Sequence, residues 1–186
     1  MTRKFIKPSE YGLPIVCGKP YDEADVEETL AAATAERYVK KLQAARPRLI
    51  LLIRHAEKPD DPNDPNITVR GVEHARRLAV TIPEKYGVPD IVFAAASDAQ
   101  SDRSVETAQP IVDKYKIPLV QIPATNLHAL FEALHEPPKK DFALVVWRHE
   151  QLPTIAGMLG IDPPFRTWPA DDYSTQWAVR GWVVRT

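Results

Sequence analysis

Two Arg-His pairs and one further arginine could form an anion-binding site. Arg54-His55 and Arg148-His149 are far apart in the chain, and Arg103 lies between them. An imidazole that is neutral near pH 7 is a competent nucleophile toward phosphorus. The planar, permanently cationic guanidinium of arginine grips phosphate oxygens through two parallel hydrogen bonds. These residues therefore suit phosphoryl transfer, provided that the fold gathers them and a proton donor stands near the leaving oxygen.

Alternating strand and helix patterns supply the elements that would position these residues. Apolar runs of strand length occupy residues 48–53, 90–96, 117–122, 141–147 and 176–184. Helical patterns occupy Val69 to about Tyr86, 102–116, 125–135 and Pro153 to Gly160. The alternation predicts an α/β fold, a three-layer α/β/α sandwich with a mostly parallel central sheet. Ligands bind beyond the carboxyl ends of strands in such sheets, so we expect both Arg-His pairs and the segment 97–103 at one edge.

Composition narrows the class of protein. The 186 residues are 44% hydrophobic and 26% charged, with a formal net charge of −1, which is typical of a soluble globular protein without a broad nucleic-acid-binding surface. The single cysteine, Cys17, permits no internal disulfide and fits a reducing compartment. No apolar stretch approaches the length of a membrane span. The sequence therefore predicts a cytoplasmic protein with neither a nucleic-acid nor a membrane partner.

Residues 1–47 form a predicted N-terminal extension, and residues 48–186 form the predicted main domain. From Asp22 to about Ala45 the sequence is rich in Ala, Glu and Lys, with acids in the first turn and bases near the end. This pattern is typical of one amphipathic helix. We expect the helix to pack on the outside of the domain, and a dimerisation arm is the alternative. No pattern specifies the oligomeric state.

Three segments resemble motifs of the histidine phosphatase (phosphoglycerate mutase-like) superfamily. The segment ILLIRHAEKPDDPNDPNITVRG is similar to the family's opening motif, in which a strand leads into Arg-His-Gly and an L-T-x-x-G helix start follows. The segment ASDAQSDRSVETAQP resembles the family's Ser-x-x-x-Arg-x-x-x-T-A element, and LVVWRHEQLP stands where the second histidine is expected. The resemblance covers residues 48 to about 160. The later W-P-x-x-D-Y segment resembles a small bacterial and plant-like branch of the same superfamily.

The resemblance implies a phosphatase in which His55 becomes phosphorylated. Arg54, Arg103 and His149 would hold the phosphoryl group, and neither a cofactor nor a metal ion would be needed. Five scattered histidines without H-E-x-x-H spacing also argue against a metal hydrolase. Ala56 replaces the family's usual glycine, which is a mild change if the backbone there keeps a negative φ.

The proton donor is not fixed by any motif. Glu150 directly follows His149, in the position where the acid-phosphatase branch keeps an aspartate, whereas Glu132 sits closer to the place used by the mutase branch. We favour Glu150 because of that adjacency. Arg148 could line the pocket or pair with a surface acid. Lys58 could add a cation near the phosphate or extend into solvent.

Two functions from different classes fit these residues. The first is a metal-independent phosphatase that acts on the phosphate monoester of a small molecule or on a phosphoprotein. The second is a non-catalytic phosphate-binding module, which would keep the arginines but lose the nucleophile or the acid. His55, His149 and the candidate acids are all present, so the sequence favours catalysis. No pattern in the loops 59–66, 123–140 and 161–175 specifies the substrate.

Overall fold

The computed structural model describes residues 31–37, 47–136 and 141–180. The chain divides into two compact units, Met1–Lys41 and Leu42–Thr186. Residues 31–37 of the first unit are helical and exposed, in agreement with the helix predicted there, and the rest of that predicted helix lies outside the described residues. Residues 181–184 of the last predicted strand also lie outside them. No helix among the described residues is both long enough and apolar enough to cross a membrane.

Strands and helices alternate through the second unit. The strands are β1 (Leu49–Arg54), β2 (Ile91–Ala95), β3 (Leu119–Ile122), β4 (Phe142–Trp147) and β5 (Gln176–Arg180). The helices are α1 (Val69–Tyr86), α2 (Arg103–Tyr115), α3 (Leu127–His135) and α4 (Leu152–Met158). Every one of these elements was predicted from the apolar patterns, with boundaries that differ by a few residues.

The five strands form one sheet in the order β3-β2-β4-β1-β5. The pairs β1/β4, β2/β4 and β2/β3 are parallel, and β5 alone runs antiparallel to its neighbour β1. The predicted mostly parallel sheet is therefore confirmed. Because β4 lies between β1 and β2, the carboxyl ends of these three strands are neighbours, and the loops that follow them meet at one edge of the sheet.

Helices cover both faces of the sheet, which explains why β1 is a continuous apolar run. Leu49, Leu51 and Ile53 pack on one face in a core shared with α1 and α2. Ile50 and Leu52 pack on the other face in a core shared with α3 and α4. Side chains alternate across a strand, so a strand buried on both faces needs apolar residues at every position. The predicted three-layer sandwich is confirmed.

The start of α1 is fastened to the segment that follows β1. The Thr68 hydroxyl accepts a hydrogen bond from the backbone N–H of Gly71 at 3.0 Å and caps the helix. The backbone N–H of Thr68 donates to the carbonyl of Glu57 at 2.8 Å. A Cβ added to Gly71 would lie 2.7 Å from that same carbonyl oxygen, so this close approach requires glycine. The Thr-x-x-Gly motif thus fixes the backbone just beyond His55.

Candidate active site

The parallel pairing of β1 and β4 brings the two histidine segments together. Arg54 is in register with Trp147, and the backbone N–H of His55 donates to the Trp147 carbonyl at 3.1 Å. His55 and His149 consequently face each other, with ring centroids 6.4 Å apart and ring planes at 83°. The predicted convergence of the two Arg-His segments is therefore what the structure shows.

A polar cavity of about 380 Å³ opens at this edge of the sheet. Its lining residues come from the loops after β1, β2 and β4: His55, Lys58, Pro62, Asn63, Gln100, Ser101, Arg103, Arg148, His149 and Glu150. Another cavity, of about 460 Å³, lies between α1 and α2 and contains none of the predicted site residues. The polar cavity is therefore the candidate active site.

The environment of His55 fixes both its charge and its tautomer. Its side chain is 4% exposed, and Nδ1 lies 2.7 Å from the carbonyl oxygen of Ala56. A carbonyl can only accept, so Nδ1 carries the proton and the lone pair of the neutral ring is on Nε2. Burial, followed by the charges of Arg54 and Arg103, lowers the His55 pKa from 6.5 to about 3. At neutral pH the ring is therefore uncharged, with the lone pair of Nε2 available.

Ala56 holds this arrangement from the backbone. It is fully buried, and its N–H donates to the Thr107 hydroxyl at 2.8 Å, while that hydroxyl donates to the Arg103 carbonyl at 2.6 Å. Among the described residues, Lys116 is the one non-glycine residue with a positive φ. Ala56 therefore keeps a negative φ, and the replacement of glycine at this position causes no backbone strain.

His149 faces the cavity next to the preferred acid. Its Nδ1 is 3.2 Å from Glu150 Oε1, although the two atoms are not aligned for a hydrogen bond. Burial and the charge of Arg54 lower the His149 pKa, while Glu150 acts in the opposite direction. The Glu150 carboxyl itself is 67% exposed, so it can reach both the cavity and bulk water.

The two candidate acids differ in location. Glu150 lines the cavity, whereas Glu132 is 63% exposed on α3 and pairs with His128 one helical turn away, at 3.3 Å. Glu132 is not among the cavity-lining residues. The geometry favours Glu150, in line with its adjacency in the sequence.

Arg103 and Arg148 line the cavity, and each is anchored by one edge of its guanidinium. Arg103 donates from Nε to the Asn66 carbonyl at 3.1 Å and from Nη2 to the Asp64 carbonyl. Arg148 donates from Nη2 to the Asp98 carboxylate. The sequence left open whether Arg148 lines the pocket or pairs with an acid, and in the structure it does both.

Arg54 is held mainly by the C-terminal segment. It is 1% exposed and is not among the cavity-lining residues, although its charge lowers the pKa of both His55 and His149. Its Nη1 donates to backbone carbonyls of the loop before β5, and Tyr173 stacks on its guanidinium with Cζ 3.9 Å from the ring centroid. Arg54 thus packs against the C-terminal segment, close enough to both histidines for its charge to act on them. Lys58, in contrast, is exposed at the cavity rim.

Unpaired buried polar atoms are concentrated around this site. Six buried side-chain nitrogen or oxygen atoms of the described residues have no hydrogen-bond partner. Four of them are Arg54 Nε and Nη2, Arg148 Nε and His149 Nδ1, and the others belong to Ser104 and Trp177. A buried donor without an acceptor costs roughly 1–3 kcal/mol. An anion with several acceptor oxygens would satisfy the arginine donors.

In the described part of the chain, no group of three or more His, Cys, Asp or Glu side chains could hold a metal ion.

Sequence reasoning missed two contributors. Asp98 holds Arg148 and also accepts from the backbone N–H groups of Gln100 and Ser101, at 2.9 and 3.0 Å. These hydrogen bonds and the Arg148 charge outweigh desolvation and lower the Asp98 pKa. Tyr173 lies with its ring centroid 6.2 Å from that of His55. Asp98 is one of two acids between β2 and α2, and no motif singles it out. Tyr173 ends the W-P-x-x-D-Y segment, but it is 118 residues from His55, so the sequence does not show that the two rings meet.

Several solved structures are similar to this chain. The protein histidine phosphatase SixA complexed with tungstate is 16% identical, with 64% of this chain and 83% of that chain covered and a TM-score of 0.50. The alpha-ribazole phosphatase from Shigella flexneri is 17% identical, covering 61% and 80%, with a TM-score of 0.47. The phosphoserine phosphatase from Entamoeba histolytica in complex with 3-phosphoglyceric acid is 17% identical, covering 62% and 81%, with a TM-score of 0.42.

No protein-family model matches the sequence, and no curated protein sequence matches it. The structural match to the tungstate complex shows that the chain shares the fold of that phosphatase, as its motifs predicted. At these identities the likeness concerns the fold, and function has to be argued from the site itself.

Proposed function

We propose that this chain is a metal-independent phosphatase that transfers a phosphoryl group first to His55 and then to water. The observation that carries the proposal is the state of His55. Its ring is neutral, its proton is held on Nδ1 by the Ala56 carbonyl, and it lines a cavity shared with Arg103 and Arg148. A nucleophile in the correct tautomer beside fixed cations is what attack on a phosphate ester requires.

In the first step the Nε2 lone pair of His55 forms a bond to phosphorus while the bond from phosphorus to the leaving oxygen breaks. The transferring oxygens are held by Arg54, Arg103 and His149, with Arg148 lining the same cavity, and these groups stabilise the negative charge on them. The carboxyl of Glu150 gives its proton to the leaving oxygen. The products are an alcohol and a phosphohistidine.

In the second step a water oxygen attacks phosphorus and the bond from phosphorus to Nε2 breaks. The Glu150 carboxylate takes the water's proton, which returns the acid to its starting state, and the lone pair returns to His55. Inorganic phosphate leaves through the cavity mouth. The exposure of Glu150 allows it to exchange protons with solvent between the two steps.

The substrate is a phosphorylated small molecule or a phosphoprotein. The cavity is small, and its lining residues are polar except for Pro62. The shared fold with a phosphatase that holds tungstate, an analogue of phosphate, is consistent with this assignment. We place the activity in the cytoplasm, because a chain with a single cysteine has no need of an oxidising compartment.

The test is hydrolysis of p-nitrophenyl phosphate in the presence of chelator, from acid to neutral pH. Wild type, His55→Ala and His128→Ala are compared, because His128 is 78% exposed and lies outside the cavity. We expect activity in wild type and His128→Ala and none in His55→Ala. A brief reaction with radiolabelled substrate should also leave an acid-labile, alkali-stable phosphoenzyme in wild type and none in His55→Ala.

Three results would contradict the proposal. Phosphate binding without turnover at any pH would make the chain a non-catalytic phosphate-binding module. Activity that chelator removes would assign the reaction to a metal hydrolase. Full activity in His55→Ala would exclude this residue as the nucleophile.

A further inference from the structure

Arg54 is held by a segment that follows it by more than 110 residues. Its Nη1 donates to three backbone carbonyls, those of Ala170 at 2.7 Å and of Pro169 and Asp172 at 3.3 Å. The aromatic ring of Tyr173 covers the guanidinium plane. Residues 168–173, called here the arginine clamp, therefore fix both the rotation and the plane of this side chain.

The arginine clamp is itself rigid. The Trp168 indole N–H donates to the Asp172 carbonyl at 2.9 Å, and the Asp172 carboxylate accepts from the backbone N–H groups of Ser174 and Thr175 at 2.9 and 3.0 Å. These hydrogen bonds lower the Asp172 pKa despite its partial desolvation. Trp168 also packs on Trp177 of β5, with ring centroids 4.6 Å apart. Because β5 pairs with β1, the clamp and Arg54 are anchored to the same sheet.

The clamp binds Arg54 without an ion pair, although the charges of Asp172 and Asp171 act on the guanidinium from a distance. Its direct partners are carbonyl oxygens and an aromatic face, and no carboxylate of the described residues lies within ion-pair distance of this guanidinium. Nε and Nη2, on the edge away from the clamped nitrogen, have no partner among the described residues. That edge is the one through which a guanidinium makes two parallel hydrogen bonds to an oxyanion.

We infer that the arginine clamp is a positioning element, with Tyr173 as its principal side chain, that presents the Nε–Nη2 edge of Arg54 to the phosphoryl group. The inference rests on the proposed function, since it assigns that edge to the anion of the same site. It explains why a buried arginine is held by neutral groups. An ion pair would anchor it equally well but would cancel the charge that the anion needs.

The experiment compares Tyr173→Leu and Tyr173→Phe with wild type. Tyr86→Leu is the matched control, since Tyr86 is also half-buried, carries a cation over its ring and lies on α1 away from the cavity. Two quantities are measured: the dissociation constant for inorganic phosphate by calorimetry, and the ¹⁵N–¹H resonances of the Arg54 guanidinium in the free protein, assigned with Arg54→Lys. Thermal unfolding checks that every variant is folded.

Tyr173→Leu is expected to weaken phosphate binding roughly tenfold, since a desolvated cation–π contact is lost. In wild type we expect separate resonances for the Arg54 guanidinium N–H groups, because the clamp slows rotation of the guanidinium. In Tyr173→Leu these resonances should average together. Tyr173→Phe, which keeps the ring, and Tyr86→Leu are both expected to bind phosphate as wild type does. Because the clamp acts through the arginine, KM should rise in Tyr173→Leu along with the dissociation constant.

The inference is overturned if Tyr173→Leu keeps wild-type phosphate affinity and unchanged Arg54 resonances, or if Tyr173→Phe is as weak as Tyr173→Leu. Failure of the proposed function gives a different result, since wild type itself would then neither bind nor hydrolyse phosphate esters. In that case the Arg54 resonances still test whether Tyr173 holds the guanidinium. If they stay separate in Tyr173→Leu, the positioning role of Tyr173 is refuted.

Discussion

The low pKa of His55 makes a quantitative prediction about stability. In the unfolded chain this imidazole has its ordinary pKa of 6.5, and in the folded protein the value is about 3. Between these two values the unfolded state binds a proton that the folded state does not. Acid therefore favours unfolding, so the stability contributed by neutral His55 is present above pH 6.5 and is lost as the pH falls toward 3.

The size of the effect follows from the two pKa values. The full difference corresponds to roughly 5 kcal/mol of unfolding free energy, spread over the window between them. From pH 7 to pH 5 the expected loss is about 2 kcal/mol, because the unfolded imidazole becomes protonated over that interval while the folded one stays neutral. His55 is almost fully buried, so solvent screening reduces this value little.

The assay is urea unfolding of wild type and His55→Asn at pH 7 and pH 5. Asparagine keeps a polar side chain beside the Ala56 carbonyl but does not titrate, so the contributions of all other groups cancel in the comparison. Wild type should lose about 2 kcal/mol more than His55→Asn between the two pH values. Equal losses in the two proteins would refute a depressed His55 pKa, and with it the account of a permanently neutral nucleophile.

Three further predictions concern the acid, the arginine tether and the core. Glu150→Gln should slow the phosphorylation of His55 in single-turnover measurements by about 100-fold with an alkyl phosphate and far less with p-nitrophenyl phosphate, whose leaving group needs no proton, whereas Glu132→Gln should leave both rates unchanged. An equal loss on both substrates would argue against Glu150 as the proton donor. Asp98→Asn should weaken phosphate binding roughly three- to tenfold in calorimetry, because the anchor of Arg148 loses its charge; unchanged affinity would show that Arg148 needs no tether. Leu52→Ala should reduce the unfolding free energy by about 2–5 kcal/mol in urea, because Leu52 is fully buried between the sheet and α3/α4, and a loss below 1 kcal/mol would contradict the packing described.

The sequence determined the architecture because local patterns encode it. The run LILLIR has apolar residues at every position but the last, which is characteristic of a strand buried on both faces, and the structure places β1 inside the sheet with helices on both sides. The motif Thr68-x-x-Gly71 predicted a helix start, and the cap and the close approach at Gly71 supply its physical reason. The edge that gathers His55, Arg103 and His149 followed from the rule that ligands bind where parallel strands end.

The state of each site residue was decided only by the tertiary structure. The His55 tautomer depends on a carbonyl one residue away, and its low pKa depends on burial by elements distant in sequence. The sequence favoured Glu150 over Glu132 only by its adjacency to His149, and the structure adds that Glu150 lines the cavity whereas Glu132 does not. The sequence implied a phosphate-binding role for Arg54, but only the fold shows that the loop before β5 holds its guanidinium.

These differences have one physical cause. Strand and helix formation depend on the spacing of residues close in the chain, so a single sequence records them. Charge state, tautomer and guanidinium orientation depend on dielectric environment and on hydrogen-bond partners that the fold brings from far away. Tyr173 reaches Arg54 across 119 positions of sequence, and no periodicity marks that contact. The sequence by itself therefore determined where the site would be, and the tertiary structure decided how its groups are set for chemistry.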